Sequence, residues 1–490
     1  MYIPMFIILF FFIGAMLLSI RAKKGKDMNM EQWAVGGREF GTVFVFLLMA
    51  GEAYSTFTLL GASGWAYSKG GPIYYFLAYT ALAYVISYWL LPPLWRYANK
   101  HKLVSQSEFF AYKYQSPILG ALVSLVGSLA MFAMLIIQFK GLGIIVSETS
   151  FGLISPTLAI CVSVIALTVY VLVSGIHGSA WTAAVKDILI FVVLLFLGVY
   201  LPFHYYGGIQ PMFEALNTQR PNFVILPEHG LSISWFISTT LLTGLGFYMW
   251  PYIFTASFSA KGPKALRKNS IIMPLYTLMF VFVYLVGFTA ILQVPGLQGA
   301  DGDLALLRLS TKTFDPWFIG IIGGVGLLST LVLGSLLLMN ISTTLAKNIY
   351  PLIVSNAREE RKNKMAKYLV PVISLICLVY ALGDNSSLNV FFLAGYSLVT
   401  QLFPSFLASL FKNNFITKQG AIVGICFGVG ISIYTTLTHT TMATLFPTMS
   451  PVIQDLNVGV IAFLINIISM TLVSIVTRSS INMMKEEKIS

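Results

Sequence analysis

Thirteen apolar runs, each about as long as the ~20 residues a helix needs to cross a ~30 Å hydrocarbon layer, constrain this chain most. They fall at approximately 2–20, 41–63, 73–92, 116–149, 156–175, 180–202, 231–256, 270–293, 315–345, 366–382, 388–411, 420–440 and 456–477. In lipid, backbone polar groups must be paired inside the segment or within a closed barrel. The runs are continuous rather than alternating, so the expectation is an all-α polytopic membrane protein. Composition points the same way. Hydrophobic types make up 57% of the chain and charged types 10%, whereas a soluble chain is roughly a quarter charged. A soluble multidomain enzyme is excluded, and so is a disordered chain.

The net charge of +12 would suggest nucleic acid in a soluble protein. Here the basic residues lie in short gaps between apolar runs, where they report topology. Alternate gaps hold Arg21 to Arg38, Arg96 to Lys113, Lys261 to Lys268, Lys347 to Lys367, Lys412 and Lys418, and Arg478 to Lys488. These carry 24 Lys and Arg, against 4 in the intervening gaps (Lys69, Arg220, Arg308 and Lys312). The bias predicts an N-out, C-in orientation and supports an odd number of crossings. The first run lacks a basic leading region and a small-residue cleavage site, so it reads as a permanent span. Cys161, Cys377 and Cys426 lie inside apolar runs with no ligand spacing. They read as small apolar fillers, and neither a metal site nor a cofactor is expected.

Two runs are interrupted. Segment two carries Met49-Ala-Gly-Glu-Ala-Tyr-Ser-Thr-Phe-Thr-Leu-Leu-Gly-Ala-Ser-Gly64, and segment seven carries Thr239 to Tyr252 with Gly244, Gly246 and Pro251. They are five segments apart and therefore cross in opposite directions. This is the sign of two inverted five-helix repeats, each opening with a discontinuous helix. The repeats would cover 41–202 and 231–411. The helix within 1–22 and the pair in 420–477 would be peripheral, with 478–490 a cytoplasmic tail. Broken helices expose carbonyls and N–H groups near the membrane centre that can hold a cation or a carboxylate. The plainer alternative is that the glycines serve close helix packing.

Charges inside a membrane are functional candidates by default. Glu52 adjoins the first break, and either binds a cation, carries a proton or packs as a neutral acid. Lys140, in Ile136-Ile-Gln-Phe-Lys-Gly-Leu-Gly143, is either a counter-charge for an anionic substrate or a side chain reaching for the surface. Lys186 and Asp187 sit near one end of segment six, as an inner gate, an ion exit or a local pair.

Four stretches resemble the sodium:solute symporter family. Trp33-Ala-Val-Gly-Gly-Arg-Glu-Phe-Gly41 is similar to its GGR-x-[FL]-G entry to the broken second helix. Gly61-Ala-Ser-Gly-Trp-Ala-Tyr-Ser-Lys-Gly70 resembles the exit, Ser174 to Asp187 the W-T-D stretch with a longer spacer, and Lys347-Asn-Ile-Tyr350 the end of the ninth helix. The resemblance spans essentially the whole chain and implies thirteen transmembrane helices around a 5+5 inverted-repeat, LeuT-like core. It also implies cation-coupled uptake of small organic solutes. The coupling cation would be held by carbonyls matching Ala50 and Ala53, assisted by Glu52 and Asp187. Two hydroxyls of the ninth helix complete the family's site, but the matching positions are Val332 and Leu333, which carry no oxygen. Ser329, Thr330 and Ser335, about one turn away, would substitute only with a shift of register.

A branch resembling monocarboxylate permeases shows the same departure. Its motifs are similar to Ser329-Thr-Leu-Val-Leu333 and Ile137-Gln-Phe-Lys-Gly141. The expectation is a cell-membrane symporter, not an enzyme, that imports a monocarboxylate-like anion with Na+ or H+. Substrate would lie among segments two, four, seven and eleven, against Tyr54, Ser55, Gln138, Lys140, Trp250 and Tyr396. Each aromatic among these also has an ordinary packing role available. The implied partners are the solute and membrane lipid, with a small membrane subunit as a further one, and no nucleic acid. The rival class is an ion channel or a non-transporting sensor on the same scaffold. No GxxxxGK[ST] loop supports ATP-driven transport.

Overall fold

The computed structural model describes residues 2–23, 35–354, 358–383, 386–411 and 413–486; within these ranges the side chains of Lys23, Gly36, Gly51, Glu52, 174–177 and 479–486 are not among those described. The Glu52 carboxylate expected at the first break, the Trp33 end of the entry motif and the Ser174 to His177 side chains therefore lie outside the described residues.

The described residues are helical without strands, apart from an isolated parallel bridge between Phe40 and Ala260. Among the described residues, eleven helices are long and apolar enough to cross a membrane. The two expected spans missing from these eleven are the interrupted ones. Segment two is delivered as Thr42–Ala53, Phe57–Ala62 and Ser63–Lys69, and segment seven as Ile233–Gly246, Phe247–Met249 and Pro251–Phe258. Each piece alone is shorter than a span needs.

Segments five and six run together as helical backbone over Pro156–Tyr206. This is not one rod. Tyr170 Oη donates to Thr182 Oγ1 at 2.8 Å across twelve residues. At ~1.5 Å of rise per residue those positions would stand roughly 18 Å apart in a straight helix. The chain turns back between them, so Pro156–Val173 and Gly178–Tyr206 lie side by side.

Pro316–Thr344 forms the axis of the molecule and is buried along nearly its whole length. Pro117–Thr149, Pro156–Tyr206 and Ile3–Lys23 all pack on it. Gly320, Gly323 and Gly324 admit Ile7, Ile8 and Phe11 from the first helix, the small-residue contact that lets helices approach closely in lipid. The first helix is thus seated on the axis, while its outer face of Phe6, Phe10 and Leu17 is exposed. Lys418–Leu437 and Gly459–Glu486 pair mainly with each other.

The two broken segments meet end to side. Phe40 N donates to Ser259 O at 3.1 Å and Lys261 N to Phe40 O at 2.8 Å, joining the entry of segment two to the exit of segment seven. The far end of segment two is fixed by Gly70, whose φ of +68° suits glycine and whose missing Cβ leaves room for the Phe223 carbonyl. Tyr67 Oη donates to Val294 O at 2.8 Å in the same motif.

Candidate functional site

Segment two leaves the helix at Tyr54 (φ −105°, ψ 79°), whose N–H still donates to Ala50 O. The cause is local: Ser55, Thr56 and Thr58 follow in close succession, and such hydroxyls compete with the backbone for its partners. Thr58 Oγ1 donates to Ala53 O at 2.6 Å. Thr56 Oγ1 meets Thr330 Oγ1 of the axial helix. The chain then continues as a widened turn over Phe57–Ala62. Gly141 permits this approach, because a Cβ there would collide with the Thr56 methyl group.

The Tyr54 carbonyl has an ionic partner. Lys186 Nζ donates to Tyr54 O at 2.9 Å from 132 residues away. The same ammonium stands 2.7 Å from Asp187 Oδ1, and both side chains are buried, at 0% and 4% exposure. Asp187 Oδ2 has no hydrogen-bond donor among the described residues. A lysine kept from water must find carbonyl or carboxylate oxygen to offset its desolvation, and this one has found both.

Segment seven breaks by a different means. Trp250 is extended (φ −71°, ψ 126°) and Pro251 opens the next helix. Proline lacks an N–H and pushes the residue before it out of the helical region. The freed Met249 carbonyl accepts from Gln106 Nε2 at 2.8 Å. Asn340 of the axial helix accepts from Thr255 Oγ1 at 2.6 Å, one turn further on.

Both breaks line one cavity of about 20 Å³, bordered by Ala53, Ser55, Phe57 and Thr58 from segment two and by Phe247, Tyr252 and Ile253 from segment seven. Phe76, Tyr79, Thr80, Met134, Phe392 and Tyr396 complete the wall. The space is close to that of a single water. Its surface is aromatic and hydroxylic, and none of these residues is charged. Phe57 and Phe392 stack with centroids 4.1 Å apart, and Tyr396 lies edge-on to Trp250 at 5.3 Å.

The expected substrate residues divide. Ser55 and Tyr396 line the cavity, as does Ala53 from the expected cation set. Trp250 and Gln138 are fully buried beside it. Trp250 packs on Tyr396, and Gln138 Nε2 donates to the carbonyl of wall residue Met134 at 3.4 Å. Trp250 Nε1 and Gln138 Oε1 lack hydrogen-bond partners among the described residues, leaving one donor and one acceptor for a guest. Tyr54 is turned away: its hydroxyl donates to Tyr276 O at 2.6 Å, so it serves the site through its carbonyl rather than its ring. Lys140 is also turned away. Its Nζ donates to Ser386 O at 2.7 Å and stands 5.1 Å from the Phe391 ring centroid.

The residues implied for a sodium ion fit one poorly. The Ala50 and Ala53 carbonyls accept from Tyr54 N and Thr58 Oγ1. Asp187 is paired with Lys186. Ser329, Thr330 and Ser335 donate to Val325, Gly326 and Val332 of their own helix, and Ser335 also meets Ser179 Oγ at 2.7 Å. A hard cation needs several oxygens and a negative charge close by, and here Val332 and Leu333 offer no side-chain oxygen while the Asp187 carboxylate already neutralises the Lys186 ammonium. Sequence reasoning read Lys186 and Asp187 as an inner gate, an ion exit or a local pair; the pair is present, and the reach of Lys186 to Tyr54 O was not foreseen. It also missed Phe57, Phe76, Tyr79 and Phe392, whose only trace was an aromatic density shared with ordinary core.

The sequence model of the sodium:solute symporter family matches residues 33–428. An uncharacterized symporter of Bacillus subtilis (strain 168), YhjB, is 60% identical over 95% of this chain and 96% of its own length. A monocarboxylate transport permease protein of Rhizobium johnstonii is 24% identical over 86% of this chain and 87% of its own. Among solved structures, the substrate-bound outward-open state of a Na+-coupled sialic acid symporter superposes with a TM-score of 0.79 at 16% identity. That match covers 97% of this chain and 98% of the other.

Proposed function

The chain belongs to the sodium:solute symporter family, and from that premise we propose that this multi-pass membrane protein is a secondary active symporter importing a small organic solute across the cell membrane. The solute class is a monocarboxylate-like anion, and the driving ion is Na+ or H+. The observation that carries the reading is that two helices broken five segments apart contribute neighbouring walls to one buried cavity. Interrupted helices at equivalent places in inverted repeats are the architecture in which one half rocks against the other around a fixed site. The chain crosses thirteen times in this reading, N-out and C-in, supported by the partition of its basic residues.

The apolar body of the solute lies against Phe57, Phe76 and Phe392. Its polar end meets Trp250 Nε1 and the hydroxyl of Ser55. The relative named for monocarboxylate transport supports the substrate class. Uptake of radiolabelled monocarboxylates in a transport-deficient host, with counterflow in reconstituted vesicles, tests the proposal. Saturable uptake with counterflow is expected. Flux that neither saturates nor shows counterflow indicates a channel and rejects it. Trp250→Phe keeps the ring and removes the donor, and should raise KM by roughly 10-fold, the cost of about one hydrogen bond to a charged group.

A further inference from the structure

We propose that the ammonium of Lys186 is a tethered cation, filling the place at the segment-two break where the family would hold a free sodium ion. The inference deepens the transporter reading and rests on it for the meaning of the site. Three observations carry it. The ammonium donates to the Tyr54 carbonyl, which lies where the helix opens, at 2.9 Å. It takes the Asp187 carboxylate as its counter-ion at 2.7 Å, with the lysine wholly buried. The positions that would complete a sodium shell are Val332 and Leu333, whose side chains carry no oxygen.

Charge and geometry agree. Asp187 already has its counter-ion in Lys186, so a free monovalent cation at the same carbonyl would find no unspent negative charge and would lie against the ammonium that holds that oxygen. A lysine stem is long enough to reach from one helix to another, and its three N–H groups suit a carbonyl and a carboxylate together. The tether joins segment six to the broken segment two, the span a bound ion would otherwise bridge. Lys186 is on this view a positioning residue, since it holds the break rather than the solute.

The test uses the full-length purified chain and needs no transported solute. Radiosodium binding is measured up to external physiological sodium, against N-methyl-D-glucamine, for the parent and for Asp187→Asn. The expected result is no saturable binding that depends on Asp187. In parallel, Lys186→Ala is unfolded thermally in choline chloride. Its Tm should fall by about 5 °C, as expected for an unpaired buried charge, and methylammonium chloride should restore part of the loss without moving the parent. Two results overturn the proposal: saturable parental binding that vanishes in Asp187→Asn, or a Lys186→Ala chain as stable as the parent in choline. If Lys186→Ala does not fold, the radiosodium arm decides alone. Failure of uptake would count against the carrier reading and leave these binding results intact.

Discussion

The two breaks solve one problem in unlike ways. At segment seven the interruption is written into the covalent chain, because Pro251 cannot donate and Trp250 cannot stay helical before it. At segment two no proline intervenes. The helix opens at Tyr54 because side chains take over its backbone: the Thr58 hydroxyl of the same segment for Ala53 O, and the Lys186 ammonium of segment six for Tyr54 O. A break built by proline persists whatever surrounds it. A break built by borrowed partners exists only while those partners stay in place, so it is the one that ligands or mutations can move.

Four measurements would break or sharpen this contrast. Lys186→Met should be the most damaging, costing about 3–5 kcal/mol by leaving Asp187 buried without its cation. Adding Asp187→Asn should recover part of the loss, and a double-mutant cycle by thermal unfolding measures the coupling. Full additivity would show that Lys186 and Asp187 do not act as a pair at the break. Gly141→Ala pushes a methyl group into Thr56 and should cost about 1–3 kcal/mol. Combining it with Thr56→Ser, which removes the opposing methyl, should recover most of that, and equal losses with and without the second change would discount the contact.

At the proline break, Gln106→Leu strands the Met249 carbonyl, and should cost about 1–2 kcal/mol. A loss as large as that of Lys186→Met would erase the distinction between the two breaks. The smallest effect is expected away from both. Asp303, in the loop ahead of the axial helix, accepts from Leu388 N at 2.8 Å, and its carboxyl is pushed up to about 7, chiefly by burial, with Leu388 N–H and Lys140 opposing. The folded chain then keeps this proton to higher pH than the unfolded one. The associated stability is complete below the ordinary carboxylate value near ~4 and is lost as pH rises through about 7. The fall should be about 1 kcal/mol between about pH 6 and 8, and Asp303→Asn should flatten it in a Tm-against-pH series.

Much of the architecture was legible because hydropathy is local. Run lengths gave the spans, and Pro251 with its glycines marked one break while the cluster from Tyr54 to Thr58 marked the other. The runs at 156–175 and 180–202 also read as two spans, although they are joined without an intervening loop. The site was less legible, because its contacts join distant parts of the chain. No spacing rule brings Lys186 to Tyr54 across 132 residues or Thr330 to Thr56 across 274. The sequence puts Tyr54 among the substrate contacts, yet the direction of its ring depends on Tyr276, which only packing reveals. Lys140 shows the same limit: its depth in a segment was readable, but its turn toward Ser386 was not.

The hydroxyl contacts along the axial helix carry one more implication. Thr330 and Ser335 each touch a neighbouring helix while also donating to a carbonyl one turn back or less on their own. Pulling those neighbours away would therefore strip nothing bare on the axial side. The seam behaves like a press-stud fastener, whose axial half can be undone and redone inside the bilayer without leaving its own hydroxyls orphaned.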